Sequence, residues 1–265
     1  PTRTLNPECA PLHRQVETLV GLPAMGGNKL TLITTPAEIT RSIIREIEKA
    51  TSTCHMQFYI WQDGGQVDEV IKALLAAAAR GVTCRLLLDS IGSRDFLNGK
   101  TVTRMKSGGI KVRESLPAGL IKALFSRIDI RNHRKIVVID GNVAFTGSQN
   151  MVDPQVFKQD AGVGNWIDVM VKVEGPVVET LAGTFISDWS LDADEGDYQT
   201  ESLQKDIEKV RHKGDIHPLP IVGQCPIQLV PSGPGFAPET IHSLLLTTIY
   251  AARRELIMTT PYFIP

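Results

Sequence analysis

The chain has no excess of charge of either sign. Its 265 residues include 28 Lys and Arg against 29 Asp and Glu, which gives a formal net charge of −1 at pH 7. Proteins that bind a polyanion generally carry a surplus of Lys and Arg, because phosphate contacts need cations. The charge balance therefore disfavours a nucleic-acid-binding function, and we expect no nucleic acid as a partner.

Cysteine is scarce and has no metal-binding spacing. The four residues are Cys9, Cys54, Cys84 and Cys225, and they form neither a C-x-x-C pair nor a ligand set with His. Cys54 and Cys84 lie in or beside apolar runs, which is typical of buried free thiols.

Long apolar runs are also missing. No stretch reaches the roughly 18 consecutive apolar residues of a membrane-spanning helix, so the sequence predicts none. No signal peptide is visible, and because the chain begins at Pro1 rather than Met, we expect that residues precede it.

Strand-like and helix-like patterns alternate along the chain. Strand patterns at 29–34, 54–61 and 82–89 are separated by helical patterns at 36–50 and 67–80. This order predicts an α/β sandwich around a mixed sheet. Later segments predict a strand at 110–113, an amphipathic segment at 117–128, a hairpin with strands at 132–139 and 143–147, a strand at 166–173 and a helix at 176–189.

The end of the chain resembles its beginning. Residues 226–265 have the order strand, helix, strand, as do residues 29–61, and FYIW in the first matches YFIP in the second. We therefore divide the chain into an N-terminal extension (1–28), a complete repeat (29–190), a charged linker (191–225) and the start of a second repeat (226–265). The alternative is chance similarity between two amphipathic α/β units.

Residues 132–150, NHRKIVVIDGNVAFTGSQN, place polar groups on an apolar hairpin. Side chains alternate along a strand, so His133 and Lys135 point to the same side. Asp140 has the opposite parity and lies in the turn, where we expect it to stabilise the hairpin. Ser148 and Asn150 follow the return strand, and their hydroxyl and amide groups can donate to an oxyanion near His133.

This combination of groups suits a phosphoryl group. Lys135 can neutralise its charge, the hydroxyl and the amide can donate to its oxygens, and an imidazole can act as nucleophile or general acid–base. No carboxylate cluster suited to Mg²⁺ accompanies them, so we expect no metal and no cofactor. The alternative is that His133 and Lys135 only cap a strand at the surface, but the full pattern His-x-Lys-x4-Asp-x6-Gly-Ser-x-Asn is much more restrictive than a lone His-x-Lys.

The full pattern resembles the HKD motif of the phospholipase D superfamily, and all of its positions are filled, by His133, Lys135, Asp140, Gly147, Ser148 and Asn150. Further segments resemble bacterial cardiolipin synthases, namely FYIWQDGG (58–65), LLLDSIGS (86–93), DPQVFKQDAGVGNWID (153–168), PSGPGF (231–236) and TTPYFIP (259–265). The resemblance covers nearly all of residues 28–265.

The resemblance implies a phospholipase D-like fold in which two HKD repeats meet at one active site. One His attacks the phosphodiester and forms a phosphohistidine, while the other protonates the leaving alcohol and then activates the incoming one. The implied reaction transfers a phosphatidyl group between two phosphatidylglycerol molecules and gives cardiolipin and glycerol. The implied partners are this phospholipid, the membrane surface and a second HKD half, and the implied location is the cytoplasmic side of the bacterial inner membrane.

The resemblance also adds an acid to the catalytic set of His133, Lys135 and Asp140. Asp168, in NWIDV, matches an acid that orients the His ring in the family, where relatives often have Glu; the alternative is an ordinary strand residue. Lys158 and Asp160 lie in a loop that resembles the synthases, and we predict that they contact the substrate.

Three further residues are candidates for the headgroup pocket because of their position. Tyr59, Trp61 and Asp89 lie at the predicted C-terminal ends of strands, where α/β sheets place ligands. Core packing would explain the two aromatic residues equally well. The amphipathic segment 117–128 fits either a membrane interface or a core helix.

Two departures from the family pattern matter. The second HKD motif does not occur before Pro265, and the N-terminal membrane helices of the synthases are missing. We therefore expect a part of a two-motif enzyme, inactive or nearly so alone, rather than a one-motif homodimer. A phosphodiesterase that uses water as acceptor, a nuclease of the superfamily and an inactive lipid-binding module remain alternatives.

Overall fold

The computed structural model of the chain describes residues 7–115, 131–157, 166–191, 216–232 and 239–260. Their strands form one eight-stranded sheet in the order β4-β3-β2-β5-β6-β7-β1-β8. The strands are β1 (Met25–Ile33), β2 (Thr53–Phe58), β3 (Thr83–Asp89), β4 (Lys111–Ser115), β5 (Ile136–Ile139), β6 (Val143–Gly147), β7 (Met170–Glu174) and β8 (Cys225–Ile227).

Helices cover both faces of this sheet. They are α1 (Ala10–Val20), which follows a short 3-10 turn, α2 (Pro36–Lys49), α3 (Gln66–Ala79), α4 (Arg94–Leu97), α5 (Lys100–Ser107), α6 (Val178–Leu191) and α7 (Glu239–Ala251). Apolar residues of α2 to α5 pack on one face in the larger core, and those of α6 pack on the other face in the smaller core. Among the described residues, no helix has the length and apolar character needed to cross a bilayer.

The sheet is mixed, as the sequence predicts. β2, β3 and β4 run parallel, whereas β5, β6, β7, β1 and β8 each pair antiparallel with their neighbours. The predicted fold class, an α/β sandwich with a mixed sheet, is therefore confirmed. Cys54 and Cys84, on β2 and β3, are buried free thiols, also as predicted.

Several element boundaries differ from the prediction. β5 begins at Ile136 rather than at 132, because β2 ends at Phe58 and the following residues bond to Met151 instead. β7 begins at Met170 rather than at 166, because the hydroxyl of Ser148 accepts the N–H of Val169 in place of a strand partner. The sequence pattern also did not predict α4 and α5.

The last described part of the chain joins the same sheet. β8 pairs antiparallel with β1 at the sheet edge, and α7 packs against α1. The side chain of Gln228 bonds to His13 at 3.2 Å. The division of the chain into one repeat and the start of another stays a prediction.

Several strand termini meet at one end of the sheet, which we call the site end, and five of them border the polar segments. β2 and β3 finish there at Phe58 and Asp89, β6 finishes there at Gly147, and β5 and β7 begin there at Ile136 and Met170. The polar segments before β5 and after β6 therefore emerge side by side.

Candidate active site

His133 and Lys135 meet on the ring of Tyr59 at the site end. The rings of Tyr59 and His133 stack, with centroids 3.9 Å apart and planes inclined by 28°. The Nζ atom of Lys135 lies 5.9 Å from the centroid of the Tyr59 ring and donates to the backbone oxygen of His133 at 2.6 Å. One aromatic ring thus supports both side chains.

The predicted alternation of side chains holds across this segment, although the regular strand is shorter. Val137 and Ile139 belong to the core beneath α2 and α3, whereas Ile136 and Val138 belong to the core beneath α6. His133 and Lys135 have the parity of Val137 and contact Tyr59. Asn132 and Arg134 have the parity of Ile136 and point toward α6.

Ser148 and Asn150 hold neighbouring backbone segments at the site end. Ser148 Oγ accepts the N–H of Val169 at 3.0 Å, and Asn150 Oδ1 accepts the N–H of Ile60 at 3.0 Å. The Asn150 amide nitrogen makes no hydrogen bond to the described residues, and the exposed Ser148 hydroxyl is 3.4 Å from the oxygen of Val169. Both side chains therefore retain donor capacity for an anion.

The site favours a neutral imidazole beside a charged ammonium. Burial lowers the pKa of His133 below 6.5, the charges of Lys135 and Arg131 lower it further, and that of Asp89 opposes them. Burial lowers the pKa of Lys135 to about 8, against the opposing charge of Asp168. Between these two pKa values the imidazole lone pair is available while the lysine stays positive.

Asp168 acts on Lys135 in this structure. Its carboxylate raises the pKa of the ammonium, but no hydrogen bond joins it to the His133 ring within the described part of the chain. It lies in the irregular segment just before β7. Its role in orienting the imidazole therefore stays a prediction.

The structure does not bring Asp140 to the site. His133 precedes β5, whereas Asp140 follows it at the far end of the strand. Asp140 adopts a positive φ of 51°. Its carboxylate accepts the backbone N–H groups of Thr51, Ser52 and Thr53 at 2.7–2.8 Å and the Thr51 hydroxyl at 3.0 Å. Asp140 joins the turn to the start of β2, so its geometry supports a structural role instead of the predicted catalytic one.

Trp61 and Asp89 do not face a substrate surface. Trp61 is 1% exposed and packs between Phe58 and Phe96 in the core. Asp89 is also 1% exposed, and its Oδ1 accepts Arg131 Nη2 at 2.8 Å together with two backbone N–H groups that follow β3. Core packing explains Trp61, and the anchoring of Arg131 explains Asp89. Of the three predicted pocket residues, only Tyr59 contacts His133.

Other predicted features lie outside the described residues. They are the substrate contacts Lys158 and Asp160 and the amphipathic segment 117–128. In the part that is described, no group of three or more His, Cys, Asp or Glu could hold a metal ion.

The sequence reasoning missed the polar residues that support the site from the other face of the sheet. Arg131 binds Asp89, and Asn132 and Arg134 both bind Asp188 of α6. For Asn132 and Arg134 the available signal was their alternation with His133 and Lys135, since polar side chains directed at an apolar layer need buried partners. The identity of those partners depends on the tertiary fold.

Comparison with known proteins identifies the family. Residues 43–189 match a family model described as "Cardiolipin synthase, PLD-like domain". "Cardiolipin synthase A" of Yersinia pseudotuberculosis (strain IP 31758) and of Yersinia pestis (strain Angola) are each 46% identical to this chain over 256 residues. The alignment covers 97% of this chain and 51% of each relative, so the chain spans about half the length of the curated relatives it matches.

A solved structure is also similar. The phospholipase D family member Nuc from Salmonella typhimurium aligns with 62% of this chain and 95% of its own at 18% identity, with a TM-score of 0.45.

The family model itself covers more than half of the chain. The chain therefore belongs to the phospholipase D-like family described as cardiolipin synthase, PLD-like domain.

Proposed function

We propose that this chain carries the first HKD half of a cardiolipin synthase. The enzyme transfers a phosphatidyl group from one phosphatidylglycerol to a second and releases glycerol. One observation carries the proposal: the imidazole of His133 and the amino group of Lys135 meet on the Tyr59 ring. The likeness to proteins named cardiolipin synthase A supports the choice of substrate.

The first half-reaction makes a covalent enzyme. The ammonium of Lys135 and the donors of Ser148 and Asn150 bind the phosphodiester oxygens and stabilise the charge of the transition state. The lone pair of His133 forms an N–P bond while the P–O bond to glycerol breaks. The leaving oxygen takes a proton from the His of the second HKD half.

The second half-reaction reverses these roles. The His of the second half removes the proton from a hydroxyl of the incoming phosphatidylglycerol. This oxygen attacks phosphorus, the N–P bond breaks, and His133 returns to its neutral form. Two moderate barriers replace one high barrier, as expected for covalent catalysis.

The remaining expectations concern partners and location. The second HKD half completes the site, and it would cover apolar residues that α7 leaves exposed, among them Leu245, Ile249 and Tyr250. The complete enzyme works at the cytoplasmic surface of the bacterial inner membrane. Neither a metal nor an organic cofactor takes part.

The decisive assay supplies phosphatidylglycerol vesicles to the full-length enzyme. We expect cardiolipin and glycerol in equal amounts and a loss of at least about a thousandfold in kcat for His133→Ala. His217→Ala, a histidine outside the site, serves as the control and should keep full activity. Phosphatidic acid as the product would show a hydrolase, DNA cleavage would show a nuclease, and lipid binding without turnover would show a binding module; each outcome would overturn the proposal.

A further inference from the structure

Asp188 of α6 gathers three polar side chains from the opposite layer. Its Oδ2 atom accepts Gln57 Nε2 at 2.6 Å, Asn132 Nδ2 at 3.2 Å and Arg134 Nη1. Asp188 is 4% exposed, and Gln57 and Asn132 are buried as well. A carboxylate in this position needs such donors, because burying an ion without partners is strongly unfavourable.

Two of these partners lie on either side of His133 in sequence. Asn132 and Arg134 point toward α6, so the residue between them must point away from it, toward Tyr59. The side chain of Asn132 also accepts the backbone N–H of Arg134 at 3.2 Å and so bridges the backbone around His133. When the side chains of Asn132 and Arg134 are held in place, the direction of the His133 imidazole is held as well.

This segment needs such anchoring because it lies outside the regular ladder. β5 begins only at Ile136, and Gln57 is the last β2 residue paired with it. Arg131, which precedes the segment, is bound by Asp89 at 2.8 Å. The backbone that carries His133 thus runs between two buried acids, Asp89 on β3 and Asp188 on α6.

We propose that Asp188 is a positioning residue for His133, acting through Asn132 and Arg134. The inference rests on the phosphatidyl transfer proposed above and adds the residue that sets the direction of attack. A buried ion pair contributes little net stability compared with an apolar replacement. Its larger effect is on geometry, and a nucleophile displaced by about 1 Å can react on the order of 100-fold more slowly.

The test compares Asp188→Asn with Glu179→Gln in the full-length enzyme. Glu179 lies in the first turn of the same helix and provides a matched loss of one carboxylate. We expect Asp188→Asn to lower kcat by about 10- to 100-fold with little change in the KM for phosphatidylglycerol, because Asp188 does not touch the substrate. Glu179→Gln should change neither constant.

Two further variants keep the outcomes distinct. Asn132→Ala removes one of the three donors and leaves the Arg134 pair, so it should fold and show a smaller loss of kcat in the same direction. An unchanged kcat in both Asp188→Asn and Asn132→Ala would overturn the inference, as would a loss that only follows the folded fraction measured by thermal unfolding. Full transfer activity in His133→Ala would instead overturn the proposed function, so the two failures are distinguishable.

Discussion

Lys135 and His133 must be in different protonation states for the proposed attack. Burial lowers the pKa of both groups, which keeps the imidazole neutral above its lowered pKa and the ammonium charged only below about 8. The active combination therefore exists in a window that opens below pH 6.5 and closes near pH 8. The same desolvation that keeps His133 neutral and nucleophilic also lowers the pH at which Lys135 loses its charge.

The first prediction concerns the alkaline side of this window. In the full-length enzyme, kcat/KM for phosphatidylglycerol should fall as pH rises through about 8, because Lys135 loses its proton there. Lys135→Arg should lower the maximum but move this decline to higher pH, since a guanidinium stays charged. Lys172→Arg, at a lysine that pairs with Glu46, should keep the original profile. A decline that stays near pH 8 in Lys135→Arg would assign it to another group.

The second prediction separates Asp140 from the chemistry. Hydrogen bonds from Thr51, Ser52 and Thr53 lower the pKa of Asp140 against the opposing effect of its burial. Its contribution to stability is therefore present above pH 3.8 and is lost as pH falls through the lower folded-state pKa. Asp140→Asn should lower the free energy of unfolding by about 1.5–3 kcal/mol, the range for hydrogen bonds to a charged group.

Urea unfolding of Asp140→Asn, with the exposed Asp95→Asn as control, measures this loss. Asp95→Asn should be close to neutral, and kcat per folded molecule should be unchanged in both variants. A loss of kcat in Asp140→Asn comparable to that of His133→Ala would restore the catalytic assignment.

At the level of elements, the junction between β6 and β7 sets the donor positions. A Cβ at Gly147 would overlap the carbonyl oxygen of Val169 and come within 2.8 Å of the Cα of Met170. The glycine of Gly-Ser-x-Asn thus allows the close approach through which Ser148 bonds to Val169 at 2.9 and 3.0 Å. The motif therefore needs glycine at this position because a side chain would have no space, and not because the backbone has a positive φ.

The third prediction tests this junction with two alanines. Gly147→Ala should cost about 1–3 kcal/mol of stability through overpacking and should lower kcat, because β7 and Ser148 must move apart. Gly183→Ala, within α6 where a Cβ meets nothing within 4 Å, should be neutral or stabilising by up to about 1 kcal/mol. Thermal unfolding and the transfer assay on both variants check this, and equal behaviour of the two would contradict the packing explanation.

Some of the site could be read from the sequence at this level, and some could not. Alternation alone predicted that His133 and Lys135 share a side, and the hairpin predicted that Ser148 and Asn150 return near them. The start of β5 could not be predicted, because it depends on where β2 leaves the sheet to bond with Met151. Periodicity within one segment contains no information about the length of its partner.

For the molecule as a whole, the predictable part was the layered sheet and the unpredictable part was which distant groups meet. Asp188 lies 55 positions after His133 in sequence, and only the packing of α6 on the sheet brings its carboxylate to Asn132 and Arg134. Asp89 had the right position at a strand end, but it supports Arg131 instead of facing a substrate. Sequence patterns identify polar residues in an apolar layer, whereas the fold decides what they bind.

In the proposed transfer, His133 becomes covalently attached to phosphorus. Full-length enzyme mixed briefly with phosphatidylglycerol, quenched at alkaline pH, digested and mapped by mass spectrometry tests it most directly. We expect a phosphorus adduct on the peptide that contains His133, and none on that peptide in His133→Asn. Cardiolipin formation with the adduct on a different residue, or with the adduct still present in His133→Asn, would contradict it.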